Sequence, residues 1–426
     1  MIQSFTKIEK VSGSLTLPGD KSIAHRALIF SALANGESEI TNLPQNDDIK
    51  STINCLRQLG IEINEDADRT KIYGKGFKGF TKPDKPLDAG NSGTTARLLS
   101  VILAAQDFDS VIEGDDSLSK RPMMRIIEPL SLMGARITGS EENTIPLKFY
   151  TTDYLNPITY ELPIPSAQVK SAILLAGLHS DKITKVIESY QTRDHTERML
   201  GLDVKKHQLK SVISVSKNNY PVPQKYFVPA DISTSAFFIL PVLILKNSKI
   251  TIRNISLNPT RTPLLHLLKE MGAKITTAET GASSNEAYGD VTVFTSELNN
   301  IKISKEVIAS IIDEIPALAI AGIFAEGDFE IRNAEELRVK ESDRISALCY
   351  NLSLLGLNVE EFKDGFKVSG KVKIKKPIFK SFGDHRIAMA FGILSCLLDE
   401  GGKVDGFESV SVSNPGFIDQ IKSITG

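Results

Sequence analysis

One pattern of apolar positions returns five times along this chain: leucine or methionine spaced along a helix, then glycine, a small or aliphatic residue, and isoleucine or valine two positions on. The copies are Leu56-Arg-Gln-Leu59-Gly60-Ile61-Glu-Ile63, Leu132-Met133-Gly134-Ala135-Arg-Ile137, Met199-Leu200-Gly201-Leu202-Asp-Val204, Leu268-Lys-Glu-Met271-Gly272-Ala273-Lys-Ile275 and Leu354-Leu355-Gly356-Leu357-Asn-Val359. Each predicts an amphipathic helix closed by a left-handed glycine and followed by a strand. A second element alternates with the first: a short polar cluster, then an apolar run of about three helical turns. These runs predict helices near Ala27–Asn35, Thr95–Ala105, Val169–Leu178, Ser235–Leu245, Pro316–Ala325 and Ile387–Leu398. They are apolar nearly all round, so they belong in a core.

The polar clusters begin at residues 21, 91, 166, 231, 313 and 383, which are 65 to 82 residues apart. The chain therefore reads as six α/β units averaging 71 residues, since 426 divided by six is 71. A sixth amphipathic helix near Pro415–Thr425 has no strand after it, whereas Met1–Leu17 reads as strands with no helix before them. The N-terminal strands are expected to complete the last unit, so that both termini share a domain. Six units divide most simply into three and three.

Composition narrows the function. Hydrophobic residues make up 41% and charged residues 24%, and 50 cations against 52 acids give a formal charge of −2. This argues against a nucleic-acid partner, because there is no global basic field. Three scattered cysteines without a CxxC pair suit a reducing compartment, and the six histidines lack metal-ligand spacing, so neither a metal nor another cofactor is expected. The first residues lack a signal-peptide core, and the longest strongly apolar run, Ala236–Leu245, is ten residues, too short to span a bilayer. A cytoplasmic, monomeric protein is the expectation. Gly74-Lys-Gly76-Phe-Lys-Gly79 fits the dinucleotide fingerprint G-x-G-x-x-G, but Phe80-Thr-Lys-Pro83 follows instead of a helix, so it reads as a connection between strands.

Six buried helices that start with polar clusters present unsatisfied N–H groups and positive dipole ends. Cations stand beside them: Lys21 and Arg26, Arg97, Lys120 and Arg121, Arg193, Arg338, Lys340 and Arg344, and Arg386. A near-neutral chain with cations concentrated at helix starts predicts a small, multiply anionic ligand.

Leu17-Pro-Gly-Asp-Lys21-Ser22-Ile-Ala-His-Arg26, Asn91-Ser-Gly93-Thr94-Thr-Ala-Arg97, Lys120-Arg-Pro-Met123, Ser166-Ala-Gln168-Val-Lys, Thr192-Arg-Asp-His-Thr-Glu-Arg-Met-Leu200, Asp313-Glu-Ile-Pro316, Leu337-Arg-Val-Lys-Glu-Ser-Asp-Arg344 and Asp384-His-Arg-Ile-Ala-Met389 stand in this order. Together they resemble the 5-enolpyruvylshikimate-3-phosphate synthase family. The resemblance implies a two-domain inside-out α/β barrel of six βαβαββ units, three per domain. It puts residues 1–19 and 231–426 in one domain and 20–230 in the other, with the active site in the cleft between them. It implies transfer of the enolpyruvyl group of phosphoenolpyruvate to the 5-hydroxyl of shikimate 3-phosphate, with no cofactor.

By position, Lys21, Ser22, Arg26, Ser166, Ala167, Gln168, Thr192, Asp313 and Lys340 match shikimate 3-phosphate contacts. Lys21, Asn91, Gly93, Thr94, Arg121, Gln168, Arg344 and Arg386 match phosphoenolpyruvate contacts. Asp313, Glu341 and Lys21 match the proton-transfer groups. Taken alone, Asp313 reads as a helix cap and Glu341 as an ion-pair partner of Lys340 or Arg344. Ala167 replaces a serine common in the family, Thr192 replaces another serine, and His195 stands where some members place a tyrosine over the ring. Glu336, Val412 and Leu98 replace an asparagine, a lysine and a proline of some members. Two rival readings are the related UDP-N-acetylglucosamine enolpyruvyl transferase and a non-catalytic anion-binding relative. The first is disfavoured by Ser22 after Lys21 and by the absence of cysteine from 114–122. The second is disfavoured by the presence of Lys21, Asp313 and Glu341.

Overall fold

The computed structural model describes residues 1–208, 210–373 and 376–425; Gly426, the last residue of the expected first domain, lies outside them. The chain forms two compact units. One comprises Met1–Pro18, Ala230–Gly281 and Ala287–Gly426, the other Gly19–Pro229 with Ala282–Glu286. The short piece 282–286 groups with the second unit, where the sequence division had put it in the first.

Thirteen α-helices occur among the described residues. They are α1 (Lys21–Leu33), α2 (Asp47–Gln58), α3 (Gly93–Leu103), α4 (Met124–Leu132), α5 (Ala167–Gly177), α6 (His195–Met199), α7 (Ile232–Ile244), α8 (Pro263–Glu270), α9 (Lys305–Ile311), α10 (Ile315–Phe324), α11 (Arg344–Ser353), α12 (His385–Leu397) and α13 (Phe417–Ile424). The six apolar runs became α1, α3, α5, α7, α10 and α12. Asp20, one residue before the first polar cluster, and Ser92, Ser166, Asp231 and Asp384, within theirs, are N-caps that each accept a backbone N–H of the first turn. The exception is α10, whose N-cap Glu314 makes no side-chain cap and which starts with Pro316 in its first turn. The amphipathic set ends as its glycines require. Gly60, Gly134, Gly201, Gly272 and Gly356 all have positive φ, between 60° and 106°. The N–H groups of Ile61, Ala135, Leu202 and Ala273 reach back to the carbonyls of Leu56, Leu130, Glu197 and Leu268.

Each of the six sequence repeats contributes one small sheet, six in all among the described residues. Five carry a parallel pair joined to an antiparallel strand, as in 225–227 beside 35–41 beside 69–75 beside 62–65. The sixth, 329–331 with 365–369 and 358–362, is antiparallel throughout, and its parallel neighbour is reduced to a bridge between Asn299 and Glu326. The N-terminus divides its services. Ile2–Phe5 pairs with Gly402–Asp405 and completes the last unit, whereas Ser12–Thr16 pairs in parallel with 249–253 of the fourth. The glycines of 74–79 end a strand and form a 3₁₀ turn. A Cβ on Gly74 would lie 2.0 Å from the Ser31 carbonyl oxygen, so the glycine is there for close strand–helix approach.

Each unit has its own core. In the second unit α3 packs on α1 and α5; in the first, α10 packs on α7 and α12. Every residue of α12 and all but the last of α7 are buried, which is why neither shows a polar face. At roughly 1.5–3 kcal/mol per buried large apolar side chain, these central helices supply the main cohesion of each unit. The three cysteines are buried free thiols, each pushed up to about 12, above all by burial, so they are poor nucleophiles at neutral pH.

His179, stacked on Phe77, gives a pH dependence with a definite sign. Burial, and then Lys78, lower its folded value from 6.5 to about 3. The unfolded chain therefore takes up a proton near pH 6.5 that the folded chain refuses until about pH 3. Its contribution is intact above pH 6.5 and is lost as pH falls toward 3. The thermal midpoint of His179→Phe should fall less between pH 6.5 and 4 than that of the wild type; parallel curves would refute this assignment.

Candidate functional site

In the second unit the expected ligand residues occupy the starts of α1, α3 and α5. Lys21, in the first turn of α1, places Nζ 2.7 Å from Asp48, which is buried at the start of α2. Ser22 follows it, and its carbonyl accepts from Nη1 of Arg26 at 2.8 Å. Arg26 is buried and also donates through Nε to Thr196 at 2.8 Å and through Nη2 to Ser171 at 2.6 Å. Burial lowers its guanidinium to about 10, still charged at neutral pH. Arg26 thus stands as a brace between α1, α5 and α6.

Ser92 caps α3, leaving Gly93 and Thr94 in its first turn. Thr94 Oγ1 accepts from Gln168 Nε2 at 2.9 Å, and Gln168 Oε1 accepts from Arg97 Nη1 at 2.5 Å. The polar first turns of α3 and α5 are therefore fastened together by Gln168. Ser166 caps α5 by accepting from the Val169 N–H, and Ala167 follows with no hydroxyl to offer. Arg121 donates to Asn91 Oδ1 at 2.8 Å and to Ser117 at 3.3 Å, while Asn91 donates to Asp115 at 2.7 Å. A Cβ on Gly93 would come within 2.8 Å of Arg97 Nη1 and 3.4 Å of Arg121 Nη1, so the missing side chain leaves room for two guanidinium groups.

Two residues of this unit have partners that their sequence surroundings did not indicate. Thr192 is buried, and its hydroxyl donates to Glu188 at 2.9 Å, to the same oxygen that receives its N–H at 3.3 Å. His195, at the position where some family members place a tyrosine over the ring, is fully buried, with Nδ1 2.7 Å from Glu286 at the tip of the 274–294 hairpin. Neither partner carried a motif: Glu188 lies four residues before Thr192 and Glu286 lies 91 after His195.

In the first unit Arg344 is the centre. It is fully buried at the start of α11. Its Nε lies 2.7 Å from Asp384, Nη1 3.1 Å from Asp313 and Nη2 2.5 Å from Glu341. Burial opposes its charge, but Asp384, Glu341 and Asp313 outweigh this and hold the guanidinium above its ordinary value. Lys340 Nζ stands 3.7 Å from the same Asp313 oxygen, and Arg386 donates to the Asp313 carbonyl at 3.1 Å. Asp313 does not cap α10; that position is Glu314. Glu341 pairs with Arg344, one of the two partners expected for it.

The sequence reading missed Asp384 as an individual. It caps α12 through the N–H groups of Arg386 and Ile387 while orienting Arg344, and its only signal was its place in the Gly383-Asp384-His385-Arg386 cluster. Among the described residues no group of histidine, cysteine, aspartate or glutamate has an arrangement that could hold a metal. Each unit thus gathers carboxylates and cations at helix starts, chemistry suited to multiply charged anions and to proton transfer.

Residues 5–421 match the family profile described as EPSP synthase (3-phosphoshikimate 1-carboxyvinyltransferase). The chain is 44% identical over 425 residues to a 3-phosphoshikimate 1-carboxyvinyltransferase of Petrotoga mobilis, covering 98% of each chain. It is 42% identical over 428 residues to the enzyme of that name from Salinibacter ruber, covering 100% of both. A solved EPSP synthase from Acinetobacter baumannii superposes with a TM-score of 0.85 at 38% identity, covering 100% of this chain and 98% of that one. The enolpyruvyl transferase NikO from Streptomyces tendae shares the fold, with a TM-score of 0.77 at 16% identity over 99% of this chain and 97% of that one.

Proposed function

This chain belongs to the EPSP synthase family, and from that premise we propose how its residues divide the work of the reaction. The reaction transfers the enolpyruvyl group of phosphoenolpyruvate to the 5-hydroxyl of shikimate 3-phosphate and releases phosphate, a step of the shikimate pathway toward chorismate and the aromatic amino acids. In the addition the oxygen must lose a proton and the methylene carbon must gain one; the tetrahedral intermediate then expels phosphate as its new methyl group gives up a proton, which restores the carbon–carbon double bond.

Asp313 and Glu341 carry the two proton transfers, with Lys21 as a further proton carrier. The observation that supports this most is the sharing of one buried guanidinium, Arg344, by both carboxylates, together with the release of Asp313 from any capping duty. Lys21, Ser22, Arg26, Ser166, Ala167, Gln168, Asp313 and Lys340 serve shikimate 3-phosphate. Lys21, Asn91, Gly93, Thr94, Arg121, Gln168, Arg344 and Arg386 serve phosphoenolpyruvate, whose carboxylate and phosphate suit the arginine fork. No single helix among the described residues is long and apolar enough to cross a membrane.

Phosphate release should require shikimate 3-phosphate and phosphoenolpyruvate together, each being omitted in turn. Release only with UDP-N-acetylglucosamine as acceptor would overturn the reading. Gly93→Ala tests the phosphoenolpyruvate side. The new Cβ meets the far ends of two flexible side chains and not the backbone, so stability should hold. Displacing those guanidinium groups should raise KM for phosphoenolpyruvate between about tenfold and a hundredfold. An unchanged KM would detach Gly93 from that substrate.

A further inference from the structure

The second unit contains a buried ionic network whose members Lys170, Glu188 and Glu197 none of the steps above uses. Lys170, with no exposed side-chain surface, places Nζ 2.9 Å from Glu188 and 2.7 Å from Glu197. Its neighbour Ser171 accepts from Arg26 at 2.6 Å and from Thr196 at 2.8 Å. Two consecutive residues of α5 therefore hold two consecutive residues of α6. Glu188 adds a third point, taking both the N–H and the hydroxyl of Thr192 on the oxygen that faces Lys170. Two cations, Lys170 and Arg26, balance two carboxylates, Glu188 and Glu197, in surroundings where an uncompensated charge would be costly.

The segment 192–197 is thus fastened in three places to the second turn of α5, the helix whose first turn carries Ser166, Ala167 and Gln168. A hydroxyl has one proton, and that of Thr192 is committed to Glu188. It cannot be donated to a substrate phosphate at the same time. We infer that Lys170 and Glu188 are positioning residues for shikimate 3-phosphate: they set the 192–197 segment against the start of α5, and Thr192 is a strut in this brace and not a phosphate donor. The inference rests on the function proposed above.

The test is a double-mutant cycle in the full-length enzyme with Glu188→Gln, Thr192→Val and both together. Phosphate release is measured as each substrate is varied in turn. Each single change should raise KM for shikimate 3-phosphate by about tenfold, and the pair by about the same tenfold, because both break one link. KM for phosphoenolpyruvate should stay within about twofold, and Thr192→Ser, which keeps the hydroxyl, should restore the wild-type value. Multiplying effects, near a hundredfold for the pair, would mean that Thr192 contacts substrate directly and would overturn the inference. So would a loss of kcat and of both affinities in step with the thermal midpoint, the mark of a merely structural network. If Glu188→Gln does not fold, Lys170→Arg takes its place in the same cycle. A wild type that releases no phosphate would instead overturn the function itself.

Discussion

Glu341→Gln should lower kcat by about 10²–10⁴-fold, the usual worth of a general acid or base. KM for shikimate 3-phosphate should change by less than about threefold, because binding and proton transfer are separable losses. Glutamine keeps the shape of the side chain and an oxygen that can still accept from Arg344 Nη2. It cannot carry a proton at that place. The other arms of Arg344, to Asp313 and Asp384, are untouched, so the surroundings should stay in position. One limb of the pH profile of kcat should also flatten, since a titrating group has been removed. If turnover and affinity fall together, Glu341 is a structural partner of Arg344 and the proton transfers rest on Asp313 and Lys21 alone. Asp313→Asn is the companion measurement. Asparagine can keep the contact with Arg344, so a similar loss of kcat there would identify the two carboxylates as the working pair.

What could be read from the sequence was local. Glycines after amphipathic runs and aspartate or serine before apolar ones mark helix ends by short-range hydrogen bonds, and Gly60, Gly134 and Asp384 behave accordingly. The sixfold count followed from those marks. Long-range pairing left no such trace. The unit count did place the N-terminal strands with the last unit, where Ile2–Phe5 joins 402–405, but nothing within Met1–Leu17 tells that Ser12–Thr16 joins 249–253 instead. The weak helix α9 and the replacement of one parallel strand by a bridge at Asn299 were invisible for the same reason. At the site, the residue types were legible but their partners were not. Thr192 and His195 fit ligand positions in sequence, yet Glu188 and Glu286 hold them, and the Glu286 contact depends on a hairpin tip 91 residues away. Asp313 went the other way: a lone aspartate before a helix reads as a cap, but Pro316 lets α10 begin without one, leaving the carboxylate to Arg344.

Arg344→Met should be the most destabilising of these changes as well as the most damaging to phosphoenolpyruvate binding. Its guanidinium pairs with Asp384, Asp313 and Glu341 together. Methionine fills much of the volume and offers no charge, so Asp384, itself fully buried, loses its closest cation. Removing one partner of a buried ion pair costs about 3–5 kcal/mol. At about 2–4 °C per kcal/mol in a large domain, the thermal midpoint should fall by about 10 °C. The deficit should shrink as pH is lowered, because a buried carboxyl without a cation is more easily held as the neutral acid, and the folded state then binds protons that the unfolded state does not. Arg344→Lys separates charge from geometry. A lysine restores one positive charge but cannot offer Nε, Nη1 and Nη2 to three carboxylates at once. It should recover part of the midpoint while leaving KM for phosphoenolpyruvate raised by about a hundredfold, since the misplaced charge no longer orients the substrate or the proton-transfer pair. A methionine variant with the wild-type midpoint would show that the three carboxylates are neutralised by other means and that Arg344 does not organise this half of the site.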